Sequence, residues 1–377
     1  MKNSIFFSIC VCVALFFTGC QSKKVSDFSE ETNGKKVTLT YAKGFDITHY
    51  PTYTDITVYN PWKKGEILTQ YFLVKHDSIQ TPDNNRKIQI PISTMMANSA
   101  TYFGFLEMLG EIEKVTGVCN SQYIYNASIL KGVAEGKIKE LGESYNLDIE
   151  NLIMLHPQVV MTTAYNAEDE NTKRLKQSGL NVVFNVEWME HSVLGRAEWI
   201  KFMGEFFDKG ALADSLFQEV DKNYQNLKEM VAATEERPTI FSGQDFRGTW
   251  SMAGGNSYTA ELFRDAKADY HFANDSTTSI SGTIEQAMML FSKADLWIGV
   301  NAASREELKQ FNPKYAIFDA FKNGKVWNNI RRCTPSGGND YWESGVARPD
   351  LLLKDMIKIC HPDLLPEYEM TYYEQLK

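Results

Sequence analysis

Hydrophobic residues along this chain change their spacing several times, and each change marks a new element. Ile5 to Phe17 is an almost unbroken apolar run, interrupted only by Ser8. Gln21 to Lys36 is polar and charged without periodicity, which predicts a flexible tether. Alternation with a period of two starts at Val37, Leu39 and Tyr41. It returns at Ile56 and Val58 and ends in the β-rich run Tyr71-Phe72-Leu73-Val74. Two or three antiparallel strands are expected there, closed by Thr81-Pro82-Asp83-Asn84-Asn85 as a turn.

From Arg86 the pattern becomes strand, helix, strand. Ile88, Ile90 and Ile92 predict a short strand, followed by Ser93-Thr94 and a helix from about Asn98 to Leu109 that Gly110 stops. Val115 to Val118, Val159 to Met161 and Val182 to Phe184 read as further strands, with helices over Ile149–Leu155 and Asn171–Gln177 between them. Such alternation implies a parallel sheet with crossover helices. Leu212, Leu216, Val220, Tyr224, Leu227 and Val231 then recur at spacings of four and three, which predicts one amphipathic helix over 211–233. At 1.5 Å per residue it would cover about 33 Å, enough to cross a whole molecule. After Pro238 the strand–helix alternation resumes and runs to a helix over Pro349–Ile359. The fold expected is α/β: two lobes with parallel-rich sheets flanked by helices, joined by one long backbone helix, plus an N-terminal β extension. Its boundaries are 37–85 for the extension, 86–210 and 234–377 for the lobes, and 211–233 for the connecting helix.

The leader changes the picture of where this fold works. Its apolar run is shorter than the roughly 20 residues a permanent span needs. With Lys2 before it and Phe17-Thr18-Gly19-Cys20 after it, it resembles a signal peptide (1–19) ending in a bacterial lipobox, which makes Cys20 the lipidation site and 20–36 the anchored tether. An ordinary cleaved signal with an incidental cysteine is the alternative. Gln21 and the lack of an early acidic run point to a cell-envelope protein facing the periplasm, or the outer face of a Gram-positive membrane. Net charge is −9 and no basic stretch follows the tether, so nucleic-acid binding is not expected. Cys119, Cys333 and Cys360 remain in the mature chain, as one disulfide and a thiol or as three thiols.

Ile88 to Thr94 with Phe105 to Gly110, then Val115-Thr116-Gly117-Val118, then Leu141-Gly142 through Asn146-Leu147, Glu150, Leu152, Ile153, Leu155, Pro157, Val159 and Val160 follow one another in an order with a known counterpart. Together they resemble the helical-backbone class of ABC-transporter substrate-binding proteins, which capture vitamin B12, ferric siderophores or heme. Gln158 stands where the family has Asp, and two extra residues separate Leu147 from Glu150. The second half adds Thr283-Ile284-Glu285-Gln286, Ala294 to Ile298 and Asn323 to Trp327. Asn339 to Glu343 and Arg348-Pro349-Asp350 look like the closing segment of a bacterial subgroup with an N-terminal β extension. The resemblance covers roughly 86–365. It implies a permease dimer with its ATPase as partner, docked through Glu150 and Glu285, and a small metal chelate as ligand. Read from the residues alone, each glutamate is a first-turn helix carboxylate favoured by the macrodipole.

A ligand cleft is expected where loops at the strand carboxyl ends of both lobes face each other. The first lobe offers Ser93, Thr94, Tyr123, Tyr125, Tyr145 and Tyr165. The second offers Phe246, Arg247, Trp250, Tyr258, Arg331, Arg332 and Trp342, with Trp250 and Trp342 foremost because glycines flank both. Aromatic planes suit a flat or macrocyclic chelate, and arginines suit its carboxylates or phosphates. No GxSxG, HExxH, Walker loop or post-strand GxGxxG occurs, and the six histidines are scattered. No catalytic residue, protein metal site or cofactor is therefore expected. A bare-metal-ion binding lipoprotein and, further off, an envelope hydrolase are the competing readings.

Overall fold

A computed structural model describes residues 33–164 and 170–377, the side chains of 170 and 171 excepted. Cys20 and Tyr165 lie outside the described residues. Period-two alternation becomes an antiparallel meander of Phe45–His49, Tyr53–Tyr59 and Ile67–Val74, with Lys35–Lys36 at one edge and Lys87–Gln89 parallel to Ile67–Val74 at the other. That last pairing corrects the sequence reading. Ile88 sits opposite Leu73 in the extension, and the first strand of the first lobe is Met95–Ala97 instead. The physical reason is visible in the residues: Lys87–Gln89 buries one face and alternates, whereas Met95, Met96 and Ala97 are buried on both faces and show no alternation.

The first-lobe sheet is parallel throughout, in the order Val182–Phe184, Val159–Thr162, Met95–Ala97, Val115–Val118, Lys139–Glu140. The second runs Asp269–Tyr270, Thr239–Ser242, Leu296–Ile298 and Val326–Asn328 in parallel, with Glu374–Gln375 antiparallel at the edge. Beside it lies a small antiparallel sheet of Asp245–Phe246, Thr249–Ala253 and Ser279–Gly282.

Between the lobes runs the helix Gly210–Ala232, 23 residues and therefore about 35 Å long. It buries Ala213, Phe217, Val220, Tyr224, Leu227 and Val231, and leaves Leu212 exposed. It is the second arm of a helical hairpin. The first arm, Val193–Phe206, was not legible as a helix because all 14 of its residues are buried and no polar face marks a period. The arms approach closely where Gly204 faces Ala213; a Cβ on Gly204 would come within 2.7 Å of the alanine methyl.

Burying Val193–Phe206 on every side brings charged groups inside, and the extension satisfies them. The Glu198 carboxylate accepts the backbone N–H groups of Thr40 (2.9 Å), Tyr41 (2.8 Å) and Ala42 (2.9 Å) and pairs with Lys201 at 3.1 Å. Glu190 accepts the N–H groups of Lys43 and Gly44 and the Trp199 indole N–H. One apolar core runs from Phe45 and Ile47 through Trp199 and Phe202 to Leu296 and Ile298, so extension, hairpin and both lobes share an interior. A second core, around Phe241, Trp250, Trp297 and Phe318, belongs to the far side of the second lobe.

Candidate functional site

Parallel strands deliver their carboxyl-end loops to one rim of each lobe. In the first lobe these are Asn98 to Thr101, Cys119 to Tyr125 and Asn185 to Met189; in the second, Gly243 to Arg247, Gly299 to Ala303 and the long stretch Asn329 to Trp342. The last of these crosses to the first lobe. Glu343 accepts the N–H groups of Tyr125 and Asn126, the latter at 3.0 Å. The Arg332 guanidinium lies over the Tyr125 ring at 5.4 Å and pairs with Asp340 at 3.0 Å. Gly337 has φ of +106°, a conformation that favours glycine, and a Cβ there would lie 3.7 Å from the Tyr123 ring; a Cβ on Gly338 would overlap the Ile124 carbonyl. Gly338 is therefore where two backbones meet, and Gly337 is where the chain turns.

Of the residues expected in the cleft, Tyr123, Phe246 and Trp342 present large exposed aromatic surfaces and Tyr125 is half-buried beside Arg332. The Arg247 guanidinium rests on the Phe246 ring at 5.1 Å, and Arg331 is exposed, 3.5 Å from Glu369. Tyr145 is exposed on the hairpin of Gly142–Glu143 and Asn146–Leu147. Tyr258 is half-buried under the Arg196 guanidinium, 5.0 Å from its ring.

Three expected contacts are not at this rim. Trp250 is fully buried in the second core, stacked on Trp297 at 5.7 Å with its indole N–H donated to the Ser242 carbonyl. Thr249–Ala253 is a strand whose alternation turns Trp250 and Met252 inward; Gly248 marks the turn before it rather than a long loop. Ser93 and Thr94 precede the Met95–Ala97 strand, at its amino end. There they brace the neighbouring strand: the Ser93 N–H and hydroxyl donate to the Gln158 side-chain oxygen (2.9 and 3.2 Å), and Gln158 N–H donates to the Thr94 hydroxyl (3.0 Å). The polar residues that do follow the first strand are Asn98, Ser99 and Thr101.

Reading the sequence also missed Glu187, Arg196 and Glu343. Glu187 is buried at the carboxyl end of Val182–Phe184, 3.5 Å from Arg196. Burial lifts its carboxyl above the usual range, against the pull of Arg196 and Thr101. Burial likewise pushes Glu343 up to about 8, with nearby Asp340 and Glu107 adding and the Tyr125 and Asn126 N–H groups opposing. No periodicity signals such partners, since Glu343 and Tyr125 are 218 positions apart. A slot bounded by Val193 and Arg196 on one side and Tyr258 and Trp342 on the other holds only about 10 Å³, at most one water. Larger grooves lie away from this rim: 550 Å³ between extension and hairpin, and 840 Å³ at the amino ends of the second-lobe strands. Neither gathers exposed rings, so volume alone is a poor guide here.

Glu150 is exposed in the first turn of Ile149–Leu155, which Asp148 caps. Glu285 is exposed in the first turn of Ile284–Phe291, where Lys314 at 2.8 Å holds its carboxyl below the usual range. Cys119 and Cys360 are buried thiols and Cys333 an exposed one; none is paired. Burial pushes the Cys360 thiol up to about 12. Among the described residues, no group of three or more His, Cys, Asp or Glu is placed to hold a metal ion, and no helix is long and apolar enough to cross a membrane.

A family model described as periplasmic binding protein matches residues 97–328. The chain belongs to the periplasmic binding protein family. The extension precedes the matched region, and the two lobes with their connecting helix fill it. Over nearly its whole length the chain is similar to MJ0878, an uncharacterized lipoprotein of Methanocaldococcus jannaschii, at 27% identity covering 94% of this chain and 92% of the relative. Among solved structures, the periplasmic vitamin B12 binding protein BtuF of Vibrio cholerae superposes with a TM-score of 0.51 at 12% identity, covering 71% of this chain and 96% of that one. The periplasmic heme-binding protein RhuT from Roseiflexus sp. RS-1 gives 0.54 at 13%, covering 71% and 97%. At these identities the likeness is one of fold, and fold and family are those of substrate-binding proteins.

Proposed function

We propose that this protein is a lipid-anchored, extracytoplasmic solute-binding protein that captures a metal-chelate nutrient between its lobes and delivers it to an ABC importer. The chelate is a corrinoid, a heme or a ferric siderophore. The observation that carries the reading is the placement of rings and guanidinium groups at the strand carboxyl ends: exposed Tyr123 and half-buried Tyr125 on one lobe, exposed Phe246, Arg247, Arg331, Arg332 and Trp342 on the other. Three exposed rings on the loops of one rim, Tyr123, Phe246 and Trp342, support a binding face there. The ligand lies on the outer faces of Tyr123 and Trp342, because the slot behind Trp342 has no room for it. BtuF and RhuT, similar in fold, are named for ligands of this class. The lipid anchor is Cys20, in keeping with a relative named as a lipoprotein. Glu150 and Glu285 dock the loaded protein on the permease, fixing register and on-rate more than affinity.

Titration of the mature protein with cyanocobalamin, hemin and a panel of ferric siderophores, followed by tryptophan fluorescence, tests this. One ligand should bind tightly and quench the signal, and Trp342→Ala should weaken it at least tenfold. Absence of tight binding across all three classes sinks the proposal.

A further inference from the structure

The helix Val193–Phe206 carries two buried cations, and the fold treats them differently. Lys201 is fully matched, with Glu198 at 3.1 Å, Asp214 at 2.9 Å and the Thr38 carbonyl at 3.2 Å. Arg196 is buried as deeply, its side chain only 9% exposed, yet its ion pair with Glu187 is long at 3.5 Å. Its Nε–H is buried without an acceptor among the described residues. A guanidinium offers five N–H donors, and a buried donor left unmatched is rare enough in native proteins to need a reason. The position is unfavourable as well. Arg196 closes the first turn of its helix, where the macrodipole disfavours a cation and favours an anion.

Arg196 lines the slot behind Trp342, together with the apolar Val193, Val346 and Leu352 and with Tyr258, whose ring lies 5.0 Å from the guanidinium. Trp342 is exposed at the rim and Arg196 is buried, so the slot leads inward from the ligand face. Its volume of about 10 Å³ matches one water, and a carboxylate oxygen has the same size. Apolar walls strengthen any charge contact made between them.

Resting on the importer reading above, we infer that Arg196 determines specificity by receiving a carboxylate arm of the ligand. One oxygen enters the slot and accepts the Nε–H, while the chelate body stays on the outer faces of Tyr123 and Trp342. Only an arm that ends in its charged group fits so narrow an opening. Porphyrin propionates and siderophores with a free carboxyl arm end that way. A corrinoid, whose arms end in primary amides, offers a neutral oxygen, and a charge-assisted bond is about twice as strong as a neutral one. The ligand is therefore a chelate with a free carboxylate. The exposed Arg247, Arg331 and Arg332 are solvated and discriminate less.

The test is titration of the mature protein with paired chelates that differ in one kind of group, a free carboxylate. The pairs are hemin and hemin dimethyl ester, cyanocobalamin monocarboxylic acid and cyanocobalamin, and ferrioxamine G and its methyl ester. In one pair the free acid should bind on the order of tenfold more tightly. Arg196→Gln should bring the acid down to its partner's affinity and leave the partner's unchanged, and Arg196→Lys should keep part of the difference. Thermal unfolding checks that both variants fold, and the wild-type comparison needs neither. Tight binding with no preference for the acid overturns the inference and leaves the importer reading standing. So does a preference undiminished in both variants and lost in Arg331→Gln or Arg332→Gln, which assigns the carboxylate to the exposed arginines. No tight binding in any pair removes the importer reading, and this inference with it.

Discussion

Glu198→Gln tests whether the extension is held by charge or by apolar contact. The substitution keeps shape and removes the charge, so no cavity complicates the result. The wild-type carboxylate is fully buried and serves three backbone N–H donors from Thr40, Tyr41 and Ala42, besides Lys201 at 3.1 Å. Hydrogen bonds to a charged group contribute about 1.5–3 kcal/mol each, and a buried donor left unsatisfied costs about 1–3 kcal/mol. With its amide oxygen at the Oε2 position glutamine keeps Tyr41, Ala42 and the 3.1 Å arm of the Thr40 bond, while its NH₂ group faces the 2.9 Å arm of Thr40 and the Lys201 ammonium. Lys201 keeps Asp214 at 2.9 Å, which limits that loss. Together these effects predict a loss of about 4 kcal/mol, a large share of the roughly 5–15 kcal/mol that stabilises a domain. Urea unfolding, with the slope monitored, gives the figure, and limited proteolysis shows whether residues 33–90 loosen first. A loss below about 1 kcal/mol with the extension still protected would refute the reasoning, because it would mean apolar contacts alone hold the sheet on Val193–Phe206.

Three further outcomes are expected. Glu343 has its folded value raised from 4.5 to about 8, so its contribution to stability is fully present below about pH 4.5 and is lost as pH rises through 8; Glu343→Gln should flatten the decline of Tm between pH 5 and 9. Glu150→Arg and Glu285→Arg should each abolish uptake of the bound chelate while leaving its affinity unchanged, as measured by transport and by titration of the same preparations; equal loss of both would put these residues in the ligand site. Trp250→Ala should destabilise by about 3–5 kcal/mol in thermal or urea unfolding without changing the ligand's Kd at saturating folded protein, the reverse of Trp342→Ala.

What the sequence made legible was governed by one-sided burial. The extension strands, the Gly210–Ala232 helix and the order of parallel strands each leave a polar face or a turn residue that prints a period on the chain. Elements buried on all sides print no period: Val159–Thr162 is still legible as a short β-branched run after Pro157, but Val193–Phe206 is not, and Met95–Ala97 loses its place to the alternating Ile88. The candidate site divided along similar lines. Exposed rings in glycine-rich loops were found, but Trp250 shared that local signature while sitting on an inward strand position. Glu343 and Glu187 could not be found, because their roles come from backbone and side-chain partners far away in sequence.

These buried partners bear on how the lobes move. A connection by one long helix already restricts motion compared with a hinge of two or three strands. The structure adds a second tie on the opposite flank of the rim, where Glu343, Arg332, Gly337 and Gly338 hold the Asn329 to Glu343 stretch against Tyr123 to Asn126. Opening the lobes by a large angle would break those bonds, each contributing about 0.5–1.5 kcal/mol, and separate the close backbone contact at Gly338. On the proposed function, closure of only a few degrees is therefore the expected outcome of ligand binding. Small-angle scattering with and without bound ligand should show nearly unchanged radii of gyration. A large ligand-induced compaction would mean that the tie at Glu343 breaks and re-forms during capture, and that the second connection is a latch rather than a weld.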